Sequence, residues 1–285
     1  MRTLLGICDV FASEFDIQFN ASKSKFTVVI PACARFVYRN VNTCLFSIGD
    51  QQIEYVTFYC HLGHIITNKF DDKDDIANRR NHFIGQVNSL LCFFSKMDLS
   101  VKVRLFKSYC SSIYGCELWH LEGGDVENFS CALRTALRRL LVVPFNVHSF
   151  ILPFLTDSLP ILYEICKRFL HFLSACLFSK SGLVQSVARH GILFCKYNSV
   201  IGSNFLYCCK LFNLSYDDVL LGLLDFSNYN FSMFYVRNLT DGELHSIYSI
   251  LELIYLREGY FCFGNDDVHL DRNDIQCMID YSSSN

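Results

Sequence analysis

The run Asp71-Asp72-Lys73-Asp74-Asp75-Ile76-Ala77-Asn78-Arg79-Arg80-Asn81-His82-Phe83-Ile84-Gly85-Gln86-Val87-Asn88-Ser89-Leu90-Leu91-Cys92-Phe93-Phe94 divides the chain into two textures. Within it Ile76, Phe83, Val87, Leu90, Leu91 and Phe94 recur at helical spacing, and the acids ahead of them suit the positive end of a helix dipole. Upstream, Leu4, Leu5, Cys8, Phe11, Ala12 and Phe15 predict a short amphipathic helix. After it Ile17-Gln18-Phe19 alternates, Asn20-Ala21-Ser22 reads as a turn, and 25–30 (KFTVVI) is rich in β-branched residues. Strand-like segments follow at 44–48, 53–56 and 61–67, with Gly49-Asp50 and Asn68 as turn markers. Gly63 falls inside the last of these, where a glycine in a strand marks a close backbone approach.

Downstream the helical period dominates. Asp98 or Ser100 is placed to cap a helix with Val101, Leu105, Tyr109 and Ile113 on one face. Further helical patterns cover 126–143, 158–179, 203–223 and 241–257, and the tail from 264 reads as loosely ordered. Pro144, Pro153 and Pro160 fall between helical patterns and mark 144–160 as a candidate domain boundary. The expected fold class is α+β: a mixed piece over 1–68, a helical region over 69–145 and a helical extension over 146–285.

Composition narrows the functional classes. In 285 residues, 51% are hydrophobic and 19% charged, which suffices for a buried core and excludes a disordered or collagen-like chain. The net charge of −3 hides a split: residues 1–150 carry +2 and residues 151–285 carry −5. Between 76 and 110, Arg79, Arg80, Lys96, Lys102, Arg104 and Lys107 face a single acid, Asp98. Local charge of this kind matters more to a polyanion than the total. Fifteen cysteines occur without a C-x-x-C; Cys60, His61 and His64 lack a nearby fourth ligand. Most thiols sit in apolar runs such as Leu91-Cys92-Phe93-Phe94, as small hydrophobes of a reduced, intracellular protein. The most apolar stretch, 161–178, is interrupted by Glu164, Lys167 and Arg168, so a buried helix is expected there and no membrane span. Asp9, Glu14 and Asp16 argue against a secretory signal. The expected location is the nucleus or cytoplasm.

Signatures of enzymatic chemistry are sparse. Phosphate-loop, nucleophile-elbow, zinc-protease and dinucleotide fingerprints do not occur. Tyr216-Asp217-Asp218 suggests a two-metal carboxylate pair, yet its setting after Asn213-Leu214-Ser215 reads as a helix start. The acids of 71–75 are likewise expected to serve a helix N-terminus. Lys23 and Lys25, at a turn, are placed to offer an ammonium to phosphate.

The order of the pieces carries more than any one of them. The string Leu5-x-Ile7-Cys8-Asp9-x-Phe11-Ala12-x-Glu14-Phe15-Asp16-Ile17-x-Phe19-Asn20-x-Ser22-Lys23-Ser24-Lys25 resembles the helix and strand that follow the aspartate hairpin in reverse transcriptases of non-LTR (LINE-type) retrotransposons. His61-Leu62-Gly63-His64-Ile65-Ile66-Thr67 resembles their primer-grip segment at the palm–thumb junction. Asp74-Asp75-Ile76, the 83–94 pattern and Leu105-Phe106-Lys107-Ser108-Tyr109-Cys110-Ser111-Ser112-x-Tyr114-Gly115-x-x-Leu118-Trp119 continue the likeness into the thumb. Arg138-Arg139-Leu140, Pro144, His148 and Leu152-Pro153 carry it to about residue 175.

The resemblance implies a palm remnant over 1–68 with a primer-grip-like segment at Leu62, Gly63 and His64, and a thumb over 69–145. The extension over 146–285 receives no role from it. The family's catalytic aspartates precede the region matched here, so the chain is expected to be a truncated RNA-directed DNA polymerase, inactive alone and without its own metal site. Mg²⁺ serves the complete family enzyme. By the same likeness Lys23 matches a lysine that protonates pyrophosphate when the palm is complete. His61 stands where the family commonly has Tyr, a departure that bears on primer seating. The expected partner is an RNA/DNA primer–template, contacted by Lys23, Lys25, Arg79, Arg80, Lys102, Arg104 and Lys107; basic helices tracking a phosphate backbone give salt-dependent, sequence-independent affinity. The alternative expectation is a nucleic-acid-binding or helical interaction protein without polymerase activity.

Overall fold

The computed structural model describes residues 2–29, 46–49, 51–69, 71–194, 198–220, 231, 235 and 238–244. Two compact units divide the chain, Met1–Arg79 and Arg80–Asn285. Among the described residues strands are confined to the first unit and the second is helical, the α+β arrangement expected.

The first unit opens with helix α1 (Arg2–Phe15), whose apolar residues recur as predicted although none of them is buried. Asn20 then organises the turn: its side-chain Oδ1 accepts from the Lys23 backbone N–H (3.1 Å) and the Ser22 hydroxyl (2.6 Å). An Asx-type turn of this sort offers the backbone an alternative to regular structure. Strand β1 is only Lys25–Phe26; residues 17–19 and 27–29 are irregular, and residue 30 lies outside the described residues. β2 (Phe46–Ile48) and β3 (Gln51–Tyr55) pair antiparallel, and β1 adds in parallel to give the order β1-β3-β2. Residues 44 and 45 of the strand expected at 44–48 lie outside the described residues. Gly49 turns between β2 and β3 at φ +57° and donates its N–H to Asp9 Oδ1 of α1 (2.8 Å). Phe26 rests against Phe46 and Tyr55, at 4.9 and 5.4 Å between ring centroids.

The segment 61–67 is not one strand. β4 (Phe58–His61) and β5 (His64–Thr67) form an antiparallel hairpin whose pairs run from Phe58↔Thr67 to His61↔His64. Gly63, expected inside a strand, is a turn residue at φ +81°. Without a Cβ it takes this turn conformation at no steric cost. Helix α2 (Lys73–Phe93) follows, and the unit boundary falls within it.

In the second unit Phe83, Val87 and Leu90 of α2 are buried as their spacing predicts. α3 (Leu99–Leu105) begins after Asp98 and runs into a single π-turn at Phe106–Cys110. That turn takes in one more residue than an α-turn, so the buried face slips by one position. Phe106, Cys110 and Ile113 are buried, while the expected Val101 and Tyr109 are exposed. α4 (Gly124–Leu141) buries Val126, Phe129, Leu133, Leu137 and Leu140, and Phe129 touches both Phe83 (5.6 Å) and Trp119 (5.7 Å). The proline-marked stretch carries α5 (Leu152–Leu155), with Ile151 and Leu152 buried in the core.

α6 (Ile161–Leu177) starts directly after Pro160, a residue whose fixed φ suits a helix entrance, and buries Ile165, Phe169, Leu170, Leu173 and Leu177. α7 (Gly182–Leu193) was not anticipated from the sequence. α8 (Val200–Phe212) ends at Asn213, which takes the left-handed conformation that Asn tolerates (φ +49°). The pattern over 203–223 is thereby split, because α9 (Tyr216–Leu220) starts afresh; residues 221–223 lie outside the described residues. Of the pattern at 241–257, residues 241–244 are helical and the remainder, with the tail from 264, lies outside the described residues. Among the described residues no helix is long and apolar enough to cross a membrane.

Candidate nucleic-acid interface

Two sets of residues singled out by the sequence occupy the two units. In the first, the hairpin β4–β5 turns on Leu62 and Gly63, both with positive φ (50° and 81°). Positive φ at both central residues is the pattern of a type I′ turn, for which Asn-Gly is the favoured pair. Leucine is a poor choice for it: a non-glycine residue held there costs about 1–3 kcal/mol. Leu62 is nonetheless the most exposed large apolar residue of the hairpin, at 75%. Every residue of β4 is exposed as well, with the Tyr59 and His61 rings stacked 6.4 Å apart.

α2 and Asp71, two residues ahead of its start, hold this strained turn. Asp75 and Arg79 stand four residues apart on α2 and therefore face one way. Thr67 donates its hydroxyl to Asp71 Oδ1 (3.2 Å). Asp75, 0% exposed, accepts the Ile65 backbone N–H on Oδ1 (2.9 Å), and its Oδ2 lies 3.1 Å from His64 Nδ1. The latter is a close contact, not an aligned hydrogen bond. Arg79 donates from Nη2 to the Gly63 carbonyl. Asp75 is thus more than the helix-terminus acid that its position suggests. The spacing 71/75/79 was visible in the sequence; what it holds was not.

The other basic residues differ in availability. Lys23 lies exposed in the Asn20 turn, and its carbonyl accepts the Tyr59 hydroxyl (3.3 Å). Lys25 is committed to an ion pair with Glu54. In the second unit Arg80, Lys96 and Arg104 are exposed and Lys102 is half-buried. Lys107 is tied to Asp157, through its carbonyl and through Oδ2 at 3.2 Å. Arg138 and Arg139, which belong to the resemblance, are also engaged. Arg138 donates to the Val147 carbonyl and the Ser149 hydroxyl (both 2.9 Å), and Arg139 donates to Asn88 Oδ1 (2.9 Å).

Nucleophilic chemistry finds no support in the core thiols. Burial pushes the Cys116 thiol up to about 12 and Cys209 up to about 11, and raises Cys208 as well, so they stay protonated. Among the described residues no group of three His, Cys, Asp or Glu stands ready for a metal ion. The acids that come nearest to the family's magnesium chemistry do not fit it. Asp75 is held by the hairpin, and Asp217 lies in the short helix α9, not on a strand hairpin.

Comparison with protein-family models, curated proteins and solved structures returns no match.

Proposed function

We propose that the chain is related to the palm–thumb region of non-LTR reverse transcriptases, and that it binds an RNA–DNA primer–template. The observation that carries this reading is the strained, solvent-exposed Leu62–Gly63 turn held by α2. Backbone strain at an exposed tip, maintained by a buried carboxylate, is the mark of a loop kept in one shape for contact. It occurs at the segment that resembles the primer grip. The exposed cations of α2 and α3, Arg80 and Arg104, with Lys96 between the helices, supply the electrostatic attraction that a phosphate backbone requires.

The test is fluorescence anisotropy of a labelled RNA–DNA hybrid at several salt concentrations. Binding whose log K falls linearly with log salt supports the proposal, and each phosphate contact adds about 0.9 to the slope. Absence of binding at low salt overturns it. A second reading, a helical interaction unit, is favoured by one observation: α7 exposes Leu183, Val184 and Val187, and Phe194 just beyond it. Failure to bind the hybrid together with concentration-dependent self-association would favour that reading.

A further inference from the structure

Arg79 was counted from sequence among the cations that contact nucleic acid, and Asp75 among the acids that serve a helix end. The structure gives both another task. We infer that Asp75 and Arg79 are positioning residues, which set the shape of the Leu62–Gly63 turn and through it the affinity of the hairpin for nucleic acid. This rests on the function proposed above and assigns the part of the site that controls it.

Three observations converge. The Asp75 carboxylate is 0% exposed, so it is out of reach of a polynucleotide, and it accepts the N–H of Ile65, the second residue after the turn. Arg79 directs Nη2 inward to the Gly63 carbonyl, within the turn itself. His64, between those two anchor points, has Nδ1 3.1 Å from Asp75 Oδ2. The backbone is therefore gripped on both sides of His64 from one helix face, four residues apart. A two-residue hairpin turn containing Leu at positive φ does not hold that shape by its own preference. With the grip removed, the local gain is to move Leu62 out of the left-handed region, and the tip presented to a ligand changes.

Arg79 as positioning residue and Arg79 as phosphate contact predict different salt behaviour. Removing a phosphate contact lowers the slope of log K against log salt by about 0.9. Removing a brace weakens binding at every salt concentration and leaves the slope unchanged. Asp75→Asn separates the acceptor from the charge, since the amide oxygen still accepts the Ile65 N–H. Asp75→Ala removes both.

The experiment uses the full chain and two readouts. Hydrogen–deuterium exchange by mass spectrometry follows peptides covering 58–67, and anisotropy follows the labelled RNA–DNA hybrid at four salt concentrations. Expected are faster exchange over 62–66 in Asp75→Ala and Arg79→Ala, and near wild-type exchange in Asp75→Asn. Hybrid affinity falls about tenfold in the two alanine variants at an unchanged slope, the loss of one charge-assisted hydrogen bond. Arg80→Ala is the contrast, with normal exchange and a slope lower by about 0.9. If Arg79→Ala lowers the slope and leaves exchange alone, Arg79 is a phosphate contact and the inference is overturned. Asp75→Asn exchanging as fast as Asp75→Ala overturns it too, as do variants with altered exchange that bind like wild type. Should wild type itself fail to bind the hybrid, the proposed function falls, and the inference falls with it as far as affinity is concerned. The exchange data then still decide whether the brace exists.

Discussion

Asn204 allows a sharp test of what holds the helical unit together. Its side chain is 0% exposed on α8 and bridges two backbone groups of the segment between the 3₁₀ turn Cys116–Leu118 and α4. Oδ1 accepts the Leu121 N–H at 2.9 Å, and Nδ2 donates to the Trp119 carbonyl at 2.7 Å. Replacing it by alanine takes a partner from a buried donor and from a buried acceptor at once. Each costs about 1–3 kcal/mol, so roughly 2–6 kcal/mol is expected. That is a large share of the 5–15 kcal/mol typical of a folded domain. Trp119 is the single tryptophan of the chain and is itself fully buried, so its fluorescence reports on this unit directly. In urea the midpoint of that signal should fall by about 1 M in Asn204→Ala. Asn204→Leu restores volume without either hydrogen bond and should be nearly as unstable. If the leucine variant matches wild type, or the alanine variant loses less than about 1 kcal/mol, packing and not hydrogen bonding makes this junction, and the reasoning fails.

Further outcomes follow from the same structure. Leu62→Asn should stabilise the hairpin by about 0.5–1 kcal/mol, because Asn accepts positive φ more readily; slower exchange over 58–67 checks it. Lys107→Ala should leave the salt slope of hybrid binding unchanged, because Lys107 is engaged by Asp157. Arg104→Ala should lower that slope by about 0.9, and equal slopes in the two variants would contradict the distinction drawn between them. In alkali the helical unit should weaken. The Cys116 thiol is raised by burial from 9.0 to about 12 in the folded chain, so the unfolded chain loses its proton first. Stability is then full below about pH 9 and declines toward pH 12 by about 4 kcal/mol for this group, an effect that Cys116→Ala should reduce.

The helices of the second unit were largely legible. α4 and α6 carry apolar residues on one stripe, and periodicity finds such a stripe without knowing its partner. Harder were the places where tertiary structure overrides local preference. Leu62 hid the hairpin, since a leucine next to Gly63 does not signal a tight turn and 61–67 then reads as one apolar strand. The π-turn at Phe106–Cys110 shifted a correctly predicted helix by one residue on its buried face. Lys25 and Lys107 look like surface cations because their partners, Glu54 and Asp157, stand 29 and 50 residues away. Asp75 reads locally as a helix-end acid, and its hold on the hairpin depends on the position of β5, which local sequence does not show.

The distribution of thiols has a practical consequence. Among the described residues Cys60, Cys92 and Cys131 are exposed, whereas Cys110, Cys116, Cys166 and Cys208 are buried, all four in the helical unit. An alkylating reagent attacks thiolate that it can reach, so the exposed group labels in the native protein and the buried group waits for an opening. The chain therefore carries its own clock for unfolding. Label found on the peptides that hold Cys110, Cys116, Cys166 and Cys208, followed over time, counts how often the core of the helical unit is laid bare, without a dye or an added tag.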